Sequence, residues 1–90
     1  MEYLTTKCNI SSNGVTILDN RNASIKIRLD PTIQMKQWDG RLYLTGDESI
    51  IFYRSKDQTF VIELMDGRKG KFKATQPGRT VVIKGSGPLE

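Results

Sequence analysis

Apolar and polar residues alternate along most of this chain. The clearest stretch is Ser24 to Leu29, where Ile25, Ile27 and Leu29 would face a core while Lys26 and Arg28 face water. A period of two puts successive side chains on opposite faces of a strand, so the pattern predicts β structure. Turn-forming residues interrupt it roughly every eight to twelve residues. They are Ser12-Asn13-Gly14, Asp19-Asn20-Arg21-Asn22, Asp39-Gly40, Gly46-Asp47-Glu48, Ser55-Lys56-Asp57-Gln58, Asp66-Gly67 and Gln76-Pro77-Gly78. About nine short segments result, which predicts an all-β domain of about seven to eight short antiparallel strands, closed as a small barrel or packed as a compact sandwich. Ile50-Ile51-Phe52-Tyr53 is apolar on both faces and would be a central strand.

One segment reads two ways. Asp30-Pro31 has the form of a helix N-cap followed by proline at the first helical position, so Thr32 to Trp38 is either a short helix or a strand. The expectation is therefore at most one short helix, near residues 31–38. In the helical reading, three strands, a helix and further strands loosely echo an oligonucleotide-binding barrel.

The C-terminal hairpins can be paired residue by residue. A Pro77-Gly78 turn would set Thr75 against Thr80, Ala74 against Val81, Lys73 against Val82, Phe72 against Ile83 and Lys71 against Lys84. Phe72, Ala74, Val81 and Ile83 then point inward. In the preceding hairpin a two-residue Asp66-Gly67 loop would mix core with charge. A three-residue Met65-Asp66-Gly67 loop with Gly67 left-handed pairs Glu63 with Lys69 and Val61 with Lys71, and puts Phe60 and Ile62 on the core face with Phe72.

Composition adds limits. Ninety residues make one domain, here residues 1–84, and Gly85 to Glu90 reads as a flexible tail whose final Leu-Glu resembles a cloning remnant. No apolar run approaches the roughly 18 residues of a membrane span. The start, Met1-Glu2-Tyr3-Leu4, lacks the basic and apolar stretch of a secretory signal, and the single Cys8 cannot form an internal disulfide. Both point to a cytoplasmic protein. Cys8 lies on an alternating stretch with Leu4, Thr6 and Ile10 and is expected to be a buried, inert thiol.

The chain has no histidine, so neither a Ser-His nor a Cys-His nucleophile pair can be built. The aspartates sit in turns, without calcium-loop spacing, and Asp66-Gly67-Arg68-Lys69-Gly70 lies between strands where no phosphate-binding helix begins. Neither a catalytic residue, a metal site nor a cofactor is predicted.

Charge is the remaining signal. Residues 1–65 carry eight Lys and Arg against eight Asp and Glu, and residues 66–90 carry six against two, so the net charge of +4 resides in the last third. Lys69, Lys71, Lys73, Arg79 and Lys84 form one candidate surface. A second depends on an Asp39-Gly40 hairpin, which would set Trp38 opposite Arg41 and Lys36 opposite Tyr43 and expose Trp38, Arg41 and Tyr43 together; the alternative is that Trp38 caps one end of the core.

The runs Gly40-Arg41-Leu42-Tyr43-Leu44-Thr45, Ile50-Ile51-Phe52-Tyr53 and Phe60-Val61-Ile62-Glu63-Leu64 resemble the middle strands of GRAM and pleckstrin-homology-like domains. The resemblance covers residues 40–64 and implies phosphoinositide or small-ligand binding; the C-terminal helix of such domains is replaced here by strands and a Gly-rich tail. The residues themselves point first to a non-catalytic module that contacts a protein partner or another copy of itself, through aromatic anchors and strand edges. The alternative is a nucleic-acid-binding small barrel that uses the basic face.

Overall fold

The computed structural model describes residues 2–32, 35–54, 57–76, 78 and 80–90. Six antiparallel strands close into a barrel: β1 (Glu2–Ser12), β2 (Val15–Asp30), β3 (Met35–Tyr43), β4 (Phe60–Leu64), β5 (Lys69–Gln76) and β6 (Thr80–Gly85), with one helix, α1 (Gly46–Arg54), between β3 and β4. The order around the barrel is β1-β2-β3-β6-β5-β4, and β4 returns to β1 through Cys8 opposite Leu64 and Ile10 opposite Ile62. The all-β class and barrel closure agree with the sequence reading; the strand count is six, below the expected seven to eight.

The count falls because two turn-like sequences lie inside long strands and one expected strand is a helix. Asp19 and Asn20 together oppose Asn9, since Cys8 pairs with Arg21 and Ile10 with Leu18. This is a bulge: Asn20 takes a left-handed φ of 56° and its N–H donates to Asn9 Oδ1 at 2.9 Å, so β2 bends without ending. Asp39-Gly40 likewise runs straight through β3, with Gly40 opposite Ile25 on one side and Ile83 on the other. A Cβ on Gly40 would overlap the Ser24 carbonyl oxygen, so glycine is required here by the close approach of β2. Ser12-Asn13-Gly14, by contrast, forms the tight turn the sequence suggests, with Asn13 and Gly14 at φ 52° and 81°.

The helix is displaced too. Residues 36–38 are strand, not helix, and Ile33 lies outside the described residues. The expected central strand Ile50-Ile51-Phe52-Tyr53 is helical instead. The cause is a capping box: the Glu48 N–H donates to Thr45 Oγ1 at 3.3 Å while the Thr45 N–H donates to Glu48 Oε1 at 3.1 Å. Arg21 then clamps the helix to β2, its Nε donating to Glu48 Oε2 at 2.6 Å. These bonds, the Arg21 contact first, hold the Glu48 carboxyl below its ordinary value.

Among the described residues, fifteen apolar side chains fill the interior. Phe52 enters from α1 and meets Phe60 edge-on at 5.0 Å, and Phe72 links this pair to Trp38 at 6.4 Å. Cys8 is buried as expected, which pushes its thiol up to about 11. Ile25 and Ile27 are buried as expected, whereas Leu29 lies on the exposed end of β2.

The β4–β5 hairpin has the register read from sequence, Glu63 opposite Lys69, Val61 opposite Lys71 and Phe60 opposite Phe72, with Gly67 at φ 95°. The β5–β6 register differs. Lys73, not Lys71, faces Lys84, and Ala74 faces Ile83, with an irregularity before Gln76. The shift of two residues keeps Phe72, Val81 and Ile83 inside, which is why the core tolerates it. Pro77 lies outside the described residues.

Of residues 85–90, read as a tail, Gly85 ends β6 and residues 86–90 lie along β5. The Ser86 N–H donates to the Lys71 carbonyl at 2.8 Å, and Lys69 and Glu90 exchange two backbone bonds at 2.8 and 2.9 Å. Trp38 packs beneath this segment, its indole N–H donating to the Gly87 carbonyl at 2.8 Å. Cβ atoms on Gly85 or Gly70 would strike the indole, so both glycines make room for it.

Candidate binding groove

The pairings place one row of outward residues across five neighbouring strands. Tyr3 pairs with Lys26, Lys26 with Asp39, Asp39 with Lys84 and Lys84 with Lys73. Adjacent strands are about 4.8 Å apart, so like charges facing directly across, as Lys73 and Lys84 do, repel unless an anion lies over them. The next outward positions of β3 are Arg41 and Tyr43, both exposed.

Apart from Lys73, these residues line a groove of about 550 Å³ on the outer surface of β2, β3 and β6, bordered by Tyr3 on β1 and Thr75 on β5. Its cations are Lys26, Arg28, Arg41 and Lys84, and its one acid is Asp39. Asp39 Oδ2 accepts a bond from Arg28 at 3.1 Å, an exposed pair that orients the arginine more than it stabilises the fold. Tyr3 and Tyr43, 67% and 46% exposed, are the aromatic residues of its lining.

Of the residues singled out from sequence, the structure brings Lys84, Arg41 and Tyr43 into this groove, with Lys73 opposite Lys84 at its border. Lys69 and Lys71 line a separate hollow with Gly87 and Pro88, and Lys69 is paired with Glu63 at 3.5 Å. Trp38 is not exposed beside Arg41 and Tyr43, because β3 contains no hairpin; it is 2% exposed and caps the core. Arg79 lies outside the described residues. Lys26, Arg28 and Tyr3 were missed, since each reads as an ordinary solvent-facing strand residue until closure sets β2 beside β3 and β6.

Among the described residues, no cluster of acidic and cysteine side chains could hold a metal ion, and no helix is long and apolar enough to cross a membrane. No family model, curated protein or solved structure matches this chain.

Proposed function

We propose that this is a non-catalytic binding module whose outer groove holds the phosphate backbone of a nucleic acid. The observation that carries the reading is the row Lys26–Asp39–Lys84–Lys73, reinforced by Arg28 and Arg41, which gathers cations from four strands around a single carboxylate. A polyanion laid over it would relieve the lysine repulsion and release condensed counterions. Two features that favoured a protein partner or self-association from sequence are differently disposed in the barrel. Every strand has a paired neighbour on each side over part of its length, and Trp38 is occupied within the core.

The test is an oligonucleotide titration at about 50 mM and about 200 mM salt. With about four phosphates neutralised, a single strand should lose roughly 50-fold in affinity over that range. Lys73→Glu combined with Lys84→Glu should abolish binding at the lower salt. Binding that is absent in the wild-type protein, or unaffected by the double reversal, would remove the proposal.

A further inference from the structure

Resting on that reading, we infer that the groove takes a single strand, not a duplex, laid lengthwise along β3 with a base stacked on Tyr43. The first ground is the shape of the cationic surface. A second hollow of about 300 Å³, lined by Lys36, Gln37, Trp38, Gly85 and Gly87, shares Arg28 and Lys84 with the first, so the two adjoin. The joined track follows the outward positions of β3, Tyr43, Arg41, Asp39 and Gln37, over roughly 20 Å. Lys36 then stands at the barrel rim. Lys26, Arg28, Arg41, Lys84 and Lys36 line it against Asp39 alone. These cations stand on three adjacent strands, β2, β3 and β6, a band about 10 Å wide that suits one backbone laid along it.

The second ground is the tyrosine at the end of the track. The ring face of Tyr43 can stack on a base only if that base is unstacked from its neighbours, which a single strand permits and a duplex resists. The third ground is that the groove is a hollow on the sheet surface that, among the described residues, no helix lines. Reading a major groove requires an inserted helix or β-ribbon, and the one helix here, α1, carries Asp47 and Glu48 in its first turn and lines neither hollow.

The experiment compares a single-stranded oligonucleotide of mixed sequence with its own duplex, at about 50 mM salt, against the wild type, Tyr43→Ala, Tyr43→Phe, Lys36→Glu and Lys84→Glu. The single strand should bind at least tenfold more tightly than the duplex. Tyr43→Ala should weaken it by roughly 5- to 150-fold, the range that one base–aromatic stack spans, while Tyr43→Phe stays near wild type. Lys36→Glu should weaken the strand further down the track. The sole tryptophan, at the floor of the second hollow, should change its emission on binding. Duplex binding as tight as single-strand binding, with Tyr43→Ala and Lys36→Glu silent but Lys84→Glu still disruptive, would overturn this inference and leave the phosphate-binding proposal standing. Insensitivity to Lys84→Glu as well would overturn both.

Discussion

Trp38 offers a quantitative test of the barrel. Its indole is 2% exposed, packs edge-on against Phe72, occupies space left by Gly70 and Gly85, and donates a 2.8 Å bond to the Gly87 carbonyl. Truncating a buried aromatic of this size to alanine costs about 3–5 kcal/mol, against a total of about 4–13 kcal/mol for a domain of this length. Trp38→Ala should therefore remove a large part of the stability and lower Tm by at least about 12 °C. Trp38→Phe keeps a ring but leaves Gly87 without its donor, which adds about 1 kcal/mol to the packing loss. Gly85→Ala should destabilise by forcing the indole aside, yet cost much less in a Trp38→Ala background, because the two sites share one volume. Urea unfolding followed by far-ultraviolet circular dichroism measures all four variants without relying on the tryptophan signal. A Trp38→Ala loss within about 0.5 kcal/mol of zero, the range of ordinary surface changes, or strict additivity with Gly85→Ala, would refute the placement of Trp38 inside the barrel.

Three other expectations follow from local geometry. Gly40→Ala should destabilise strongly, since its Cβ would meet the Ser24 carbonyl and the Ile25 side chain; equilibrium unfolding with wild-type stability would deny the β2–β3 crossing. Glu48 is held below its ordinary value of 4.5, mainly by Arg21, so its contribution to stability is present above that value and is lost as pH falls below it. Glu48→Gln should accordingly flatten the acid limb of a stability–pH profile, and Thr45→Ala should cost about 1 kcal/mol through loss of the cap. The Cys8 thiol, raised to about 11 and buried, should resist a thiol reagent at pH 8 until the chain unfolds, as a timed labelling assay would report.

How far the sequence revealed the fold depended on whether a decision was local. The β4–β5 hairpin was legible because a slip of one residue would have turned Phe60 and Ile62 outward, which left one acceptable register and required Gly67 to be left-handed. The helix was hidden although its signal was present. Thr45-Gly46-Asp47-Glu48 is a capping box, but Gly46 reads as a turn and a four-residue apolar run does not distinguish a buried strand from a helix. Asp19-Asn20 and Asp39-Gly40 misled for a shared reason. A closed barrel needs bends within its strands, and the residues that permit a bend are those that also make turns. The groove was least legible. Its central pairing, Asp39 opposite Lys84, joins residues far apart in sequence, and Lys26, Arg28 and Arg41 lie in a stretch whose charges balance. Folding separates those balancing acids, sending Glu48 to Arg21 and Glu63 to Lys69, and leaves the cations together.

The most direct measurement is a map of backbone amide chemical shifts during titration with a short single-stranded oligonucleotide at low salt, because it reports where the ligand lies as well as whether it binds. The largest changes should fall on outward positions of β2, β3 and β6, at Lys26, Arg28, Asp39, Arg41, Tyr43 and Lys84, and extend to Gln37 and the Trp38 indole N–H, while α1 and the Met65–Gly67 turn stay unmoved. Changes centred on α1 or on Lys69, or an unperturbed spectrum at saturating ligand, would contradict it.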